Sequence, residues 1–173
     1  MLGQQGFIVR RLEAPDVPAV LDIIGDCRRE YGLESGTRPV LGPSDYDLLE
    51  AYRNRRSAYF VAIVDGGVAG GAGIARLPGA DGATCELQRM YLRPASRRQG
   101  IGRALLQQCL QAARRLAYQH CYAETTSGMT SAITLYERHG FQRLPSPMGA
   151  ARGHGDCWLQ LWLQPQAGGH IGI

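Results

Sequence analysis

Apolar and polar positions along this chain follow two rhythms, and the switches between them mark out its elements. In "FIVRRL" (7–12), Phe7, Val9 and Arg11 alternate with Ile8, Arg10 and Leu12, a half-polar pattern that predicts a first strand. Val17, Val20, Ile24, Cys27 and Tyr31 then recur at helical spacing, predicting a helix over about 15–31 with its prolines in the first turn. "GLESGTRPVLGP" reads as a loop. Ser44 followed by Asp47 resembles a capping box, and Tyr46, Leu49 and Tyr52 outline a short second helix. "AYFVAIV", Asp65-Gly66-Gly67 and "VAGGAGIARL" predict two strands joined by a tight hairpin. Glycines at 70, 71 and 73 predict a bulge or a backbone that something else approaches closely.

"ATCELQRMYLRP" (83–94) continues the meander as another antiparallel strand. A long helix follows from about Gly100 to Tyr118, with one stripe at Ile101, Leu105, Gln108, Ala112 and Leu116 and a second at Leu106, Leu110, Ala113 and Ala117. So broad an apolar face predicts a helix lying on a sheet. "CYAETT" (121–126) reads as a short buried strand, and "MTSAITLYERHG" (129–140) as a helix closed by a C′ glycine at Gly140. "FQRL" and "CWLQLWL" close the chain as two strands around a Pro/Gly-rich loop at 145–155, and the tail 166–173 is expected to be disordered. The order β-α-α-β-β-β-α-β-α-β-β, without repeat or linker, predicts an α/β (α+β) fold: one domain over 1–165, a mixed sheet with helices packed on it.

Composition narrows the function. The chain has 173 residues, 45% of them hydrophobic, enough for one domain with a sizeable core. The longest apolar run, "YFVAIV", is far shorter than a membrane span, and "MLGQQGF" lacks the parts of a secretory signal. A cytoplasmic protein that does not engage a membrane is the expectation. Cys27, Cys85, Cys109, Cys121 and Cys157 form no C-x-x-C pair, and His120, His139, His154 and His170 show no H-E-x-x-H spacing, so no disulfide framework and no metal are expected. The net charge is +4 and every basic residue is arginine. With no lysine, a P-loop nucleotide site is excluded. The surplus charge is modest and interspersed with acids, which argues against nucleic acid as a partner.

One stretch stands out chemically. In "RPASRRQGIGRALL" (93–106) an arginine-rich loop runs from a strand into a helix start. Successive backbone N–H groups point outward there and the helix dipole adds positive potential, so the segment is suited to an anion. Gly100 and Gly102 keep Cβ atoms out of a ligand's way, and Arg97, Arg98 and Arg103 offer charge-assisted bonds to phosphate oxygens. The dinucleotide fingerprint is disfavoured, because Leu105 stands where its third small residue belongs and the loop is too long. Local pattern alone leaves a basic, solvated helix start as an equal alternative.

Arg97-Arg98-Gln99-Gly100-Ile101-Gly102 resembles the R/Q-x-x-G-x-G/A signature of the GNAT superfamily of acetyl-CoA-dependent N-acetyltransferases. "CELQRMYLRP" before it resembles that family's fourth strand, and "CYAETTSGMTSAITLYERHGF" its fifth strand and following helix, with the recurrent L-Y-x-x-x-G-F. The strong resemblance covers about 83–144, and the element order fits over about 7–163. It implies a mixed, mostly antiparallel seven-stranded sheet, about four flanking helices, and splayed fourth and fifth strands. Acetyl-CoA is implied as co-substrate. Its pyrophosphate would lie on the backbone of the signature loop, Arg97, Arg98, Gln99, Gly100, Ile101, Gly102 and Arg103. Its pantetheine would run along Met90, Tyr91 and Leu92, where a backbone N–H would polarise the thioester carbonyl.

Tyr136 occupies the position whose phenol protonates the departing thiolate, with simple aromatic packing as the alternative. Acceptor amines are mostly protonated at neutral pH, so a base is needed. Glu86 falls where the histone-acetylating branch carries its glutamate; the alternative is a pairing with an arginine such as Arg89. Glu124 is the second candidate, and a water can mediate. Cys85 and Cys121 lie in apolar strands without a spaced histidine and are expected to be structural. His120 and His139 are expected at helix ends or the surface; Asp156 and Trp158, with the "PSPMGAARGHGD" loop, would face the acceptor, or that loop is simply mobile. One departure is Met129, standing where many members carry an asparagine that bonds near the pantetheine. The implied reaction is acetyl transfer to an amine of a small molecule or peptide by direct attack in a ternary complex. A non-catalytic acyl-CoA-binding or sensing module is the alternative, and a homodimer is left open. Glu30, Glu34, Asp45 and Asp47 would attract a cationic amine, or merely be solvated.

Overall fold

The computed structural model describes residues 6–33, 47–150 and 155–163. Within them the chain forms β1 (Phe7–Arg11), α1 (Val17–Glu30), α2 (Leu48–Ala51), β2 (Ala58–Val64), β3 (Gly67–Arg76) and β4 (Thr84–Leu92). It continues through α3 (Ile101–Arg115), β5 (His120–Thr125), α4 (Thr130–Arg138), β6 (Gln142–Leu144) and β7 (Cys157–Trp162). The order matches the one read from hydrophobic rhythm. Ser44, the tail 166–173 and part of the 145–155 loop lie outside the described residues. No helix among the described residues is long and apolar enough to cross a membrane.

The seven strands make one sheet in the order β1-β2-β3-β4-β5-β7-β6. Every pairing is antiparallel except β4 with β5. That exception follows from connectivity: α3 carries the chain from the end of β4 back to its starting edge, and a crossover of this kind returns a parallel strand. Helices cover both faces. Along β2, Ala58, Phe60 and Ala62 join the core beneath α3 and α4, while Tyr59 and Val61 join the core beneath α1 and α2. Burial on both faces explains why this strand reads as a continuous apolar run rather than an alternation.

The helices end where left-handed backbone stops them. Gly140 (φ 90°) follows α4, and the Phe141 N–H returns to the Tyr136 carbonyl, a Schellman closure. Ala117 (φ 59°) does the same for α3, with Tyr118 N–H on the Ala113 carbonyl, so this helix closes earlier than its hydrophobic stripe suggests. The β2–β3 turn, Asp65 (φ 48°) and Gly66 (φ 80°), is the tight hairpin expected from its sequence.

Gly70 of β3 lies against Leu92 and the Tyr91 carbonyl, and Gly71 and Gly73 answer to two aromatic rings. A Cβ on Gly71 would lie 2.6 Å from Tyr59 Cε1, and one on Gly73 would lie 2.6 Å from Tyr59 Cδ2 and 2.7 Å from Tyr52 Cε1. The close approach is made by Tyr52 and Tyr59, whose rings lie 5.0 Å apart across this strand. A bulge is present as well, on the partner strand: Gly73 pairs with Gln88 and Gly71 with Tyr91, so Ala72 opposes both Arg89 and Met90. Gly73→Ala must displace packed rings rather than a flexible tip. It is expected to destabilise the fold by about 1–3 kcal/mol, read as a lower urea midpoint at unchanged slope.

Candidate active site

The bulge shapes the centre of the sheet. Arg89 takes the extra position with φ 49°, a left-handed value that few side chains adopt, and its carbonyl accepts the Tyr59 hydroxyl at 3.0 Å. A strand alternates faces every residue, so Leu87 would ordinarily share a face with Arg89 and Tyr91. The extra residue resets that count. Met90 and Leu92 pack with Leu87 under α3, while Tyr91 packs on the α1 side.

β4 and β5 pair only over four residues, Thr84–Leu87 with His120–Ala123. Beyond Leu87 no strand among the described residues lies beside β4 on its β5 edge, and the two strands open into a cleft as expected. Met90, Tyr91 and Leu92 form the β4 wall of that cleft. Tyr136 of α4 closes it from the α3 side. Its ring is buried beside Phe141, and its hydroxyl reaches Met90 Sδ at 3.7 Å. Burial pushes this phenol well above its ordinary range, so it keeps its proton throughout the neutral range.

Glu86 sits at the closed end of the cleft, opposite Ala75 of β3 and Tyr122 of β5. Strand alternation puts its side chain on the face away from Cys85 and Leu87, hence toward α1 and α2. It is buried, and its Oε2 accepts the Gln88 amide at 2.5 Å. Tyr136 and Glu86 therefore approach the cleft from opposite faces of the sheet. Glu124, the other acid, ties β5 to the chain entering β7: its Oε1 accepts the Gly155 N–H at 2.9 Å and its Oε2 the Tyr122 hydroxyl at 3.1 Å. Asp156 accepts the Ser127 N–H (2.6 Å) and hydroxyl (2.8 Å), and those bonds hold its carboxyl below the usual range. It serves the β5–α4 turn.

At the open end, α3 begins at Gly100, whose φ of 83° is the conformation glycine adopts at least cost. The first bond inside the helix runs from Ala104 N–H to Gly100 C=O, and no side chain caps the start. The N–H groups of Ile101, Gly102 and Arg103 thus point out of the helix end, a ready anion seat. The two glycines act differently. A Cβ on Gly100 would meet nothing within 4 Å, whereas one on Gly102 would lie 3.3 Å from Leu92 Cδ1 and 3.6 Å from Leu135 Cδ2. Gly102 lets α3 sit close on β4 and α4, a packing reason that the sequence reading did not separate from ligand access.

Arg97 is fastened to the protein itself. Its Nη1 and Nη2 fork onto Glu30 at 2.6 Å each, and its Nε and Nη2 reach the Leu92 carbonyl at 3.2 Å. The fork raises the Arg97 guanidinium pKa and lowers that of Glu30. Glu30 is therefore a brace between α1 and the arginine loop rather than a lure for amines; Glu34 and Asp45 lie outside the described residues. The cysteines are buried, and Cys121, beside Cys85, has its thiol pKa raised by that contact and by burial, a poor nucleophile. His120 begins β5 with its ring edge-on to Trp162 at 4.6 Å, a strand rather than a helix-end position, and His139 caps α4. Sequence reasoning missed Gln88, Tyr52 and Tyr59 as parts of this network and read Glu30 as an attractor of amines or a solvated acid. Only Gln88 carried a local signal, two residues from Glu86 on the same strand face.

A double-mutant cycle on Arg97→Ala and Glu30→Ala should return a coupling of about 0.5–1 kcal/mol in urea unfolding, weaker at high salt. Glu30 has a folded pKa below its unfolded value, so the contribution is complete above roughly pH 4.3 and fades as pH falls through the folded pKa. The coupling measured near pH 7 should accordingly exceed that measured at about pH 3.

The family description Acetyltransferase (GNAT) family matches residues 19–141. YjgM of Escherichia coli (strain K12), an uncharacterised N-acetyltransferase, is 36% identical over 161 residues, 92% of this chain and 96% of its own length. An acetyltransferase of the GNAT family from Staphylococcus aureus Mu50 superposes with a TM-score of 0.80 at 17% identity, over 92% of this chain and 100% of the other. The acetyltransferase yncA of Salmonella typhimurium, solved with its cofactor acetyl-CoA, superposes at 0.76 with 24% identity, over 96% of this chain and 99% of the other. With the family matched across most of the chain and the splayed β4–β5 cleft in place, the chain belongs to the GNAT family of acetyltransferases.

Proposed function

We propose that residues 1–165 form one acetyltransferase domain that moves an acetyl group from acetyl-CoA to the amine of a small molecule or peptide by direct attack. The observation that carries this reading is the cleft itself. A protonated phenol enters from one face, a carboxylate from the other, and uncapped helix N–H groups sit at the mouth. Acetyl-CoA supplies the acetyl group already activated as a thioester. The N–H groups of Ile101, Gly102 and Arg103, with the backbone of Arg98 to Gly100, suit its pyrophosphate. The unpaired edge of Met90, Tyr91 and Leu92 suits an extended pantetheine arm and offers N–H donors to a carbonyl oxygen turning into an oxyanion. Arg97 contributes by holding the loop, since its guanidinium is already committed to Glu30 and Leu92.

The proton traffic follows from burial. An acceptor amine near neutral pH must lose a proton before its lone pair can attack, and Glu86 is the carboxylate nearest the closed end of the cleft, acting directly or through a water. Glu124 is the weaker candidate because both of its oxygens already hold protein donors. Tyr136 keeps its proton in the buried site and can donate it toward the leaving sulfur, which recovers a proton as the tetrahedral centre collapses.

Thiol release from acetyl-CoA in the presence of diverse amines tests the activity. Turnover with at least one amine is the expected outcome; binding of acetyl-CoA without turnover on any would favour a sensing module. Tyr136→Phe should lower kcat by about 100-fold while acetyl-CoA affinity stays within about twofold, because the ring and its packing survive. Loss of affinity in equal measure would reduce Tyr136 to a packing residue.

A further inference from the structure

The carboxylate at the closed end of the cleft takes part in an ordered chain of hydrogen bonds. Arg89 Nη1 donates to the Tyr52 hydroxyl at 3.0 Å, and that hydroxyl donates to Gln88 Oε1 at 2.9 Å. Arg89 Nη1 also reaches Gln88 Oε1 at 3.3 Å, and Gln88 Nε2 donates to Glu86 Oε2 at 2.5 Å. The direction of each bond is forced. A guanidinium only donates, so the phenol must accept from Arg89 and has one proton left to give. Burial pushes the Tyr52 pKa up to about 12, so that proton stays. With two donors on Oε1, the Gln88 amide has one orientation, its NH₂ toward Glu86.

We propose that Gln88 is a positioning residue for Glu86. It fixes the carboxylate's rotamer and keeps it as the acceptor of the proton that leaves the substrate amine, while Tyr52 and Arg89 set the direction of the amide. The proposal rests on the reading of Glu86 as the base. In that step one proton moves from the ammonium to a Glu86 oxygen, directly or through a water, leaving a neutral amine and a neutral carboxyl. An amide suits the task, because it orients a carboxylate without the full positive charge that would strip it of basicity. Among the described residues, the groups around Glu86 include Tyr52 at the end of α2, Arg89 from β4, and Tyr122 and Cys121 from β5, while its β3 neighbour, Ala75, does not titrate. Two of these groups, Arg89 and Tyr52, are members of the hydrogen-bond chain itself.

The test is a pH profile of kcat/KM with an amine found in the acceptor screen, run on the full chain. Gln88→Leu keeps the size but removes both polar ends. It should lower kcat by about tenfold, leave the KM for acetyl-CoA within about twofold, and move the acid limb up by about 0.5–1 pH unit. Gln88→Glu, which sets a second carboxylate beside the first, should move it further. Tyr52→Phe removes only the donor that aims the amide and should move the limb in the same direction by less; it carries the test if Gln88→Leu does not fold. The same shift is readable without turnover, as the titration of the Glu86 carboxylate band in infrared difference spectra against Glu86→Gln. If Glu86→Gln retains turnover, the base reading fails and the proposal with it. If Glu86→Gln is inactive while the Gln88 and Tyr52 variants keep the parent limb and band, the base stands and positioning by Gln88 is overturned. A loss of kcat with an unmoved limb overturns it equally, as the mark of a packing role.

Discussion

The geometry of this protein depends on one extra residue in β4. Arg89, held at φ 49° with its carbonyl on the Tyr59 hydroxyl, breaks the register between β3 and β4. A bulge bends its strand and sharpens its twist, so β4 leaves β5 after four paired residues. The bulge also resets which face each side chain takes. Without it, Met90 and Leu92 would point toward α1, and Tyr136 would have no sulfur beside its hydroxyl. Gly71 and Gly73 are part of the same device, since the rings of Tyr59 and Tyr52 need the space that Cβ atoms would fill.

An opened sheet must be braced, because strands that have lost a partner have also lost their ladder bonds. Each wall of the cleft has its own tie. On the β4 side, Arg97 joins the Leu92 carbonyl to Glu30 of α1. On the β5 side, Glu124 joins Tyr122 to the Gly155 N–H, and Asp156 clasps Ser127. These are charge-assisted bonds, an ion pair between Arg97 and Glu30 and the rest to backbone or hydroxyl groups, stronger than neutral ones. They leave the helix start at Gly100 and the β4 edge with donors directed outward. The charged side chains near the start of α3 thus shape that end of the cleft more than they fill it.

Hydrophobic rhythm was enough to place every described strand and helix in order, because burial on one face or both leaves its period in the chain. The glycine and arginine pattern located the uncapped helix start, and the family resemblance implied the splayed pair of strands. The glycines at 70, 71 and 73 announced a close approach without saying of what; the answer lies in Leu92 and the Tyr91 carbonyl at Gly70, and in Tyr52 and Tyr59 at Gly71 and Gly73. Arg97 read as a phosphate ligand because Glu30, 67 residues away, leaves no local trace of the fork between them. Asp156 read as acceptor-facing for the same reason, its partner Ser127 lying 29 positions earlier.

What the sequence by itself determined is local and periodic. It set which segments bury which face, where helices start and stop, and which loop can present bare N–H groups, all consequences of side-chain size, branching and backbone freedom within a few residues. Tertiary structure decided which titratable groups sit at the cleft and which hold its walls. Glu86 and Glu124 are alike in the sequence, each an acid in a short apolar strand. Packing gives Glu124 a backbone donor from Gly155, while Gln88, aimed by Tyr52, addresses Glu86. The role of a carboxylate depends on the donors around it, and two groups that set them here, Gly155 beside Glu124 and Tyr52 behind Gln88, come from distant parts of the chain.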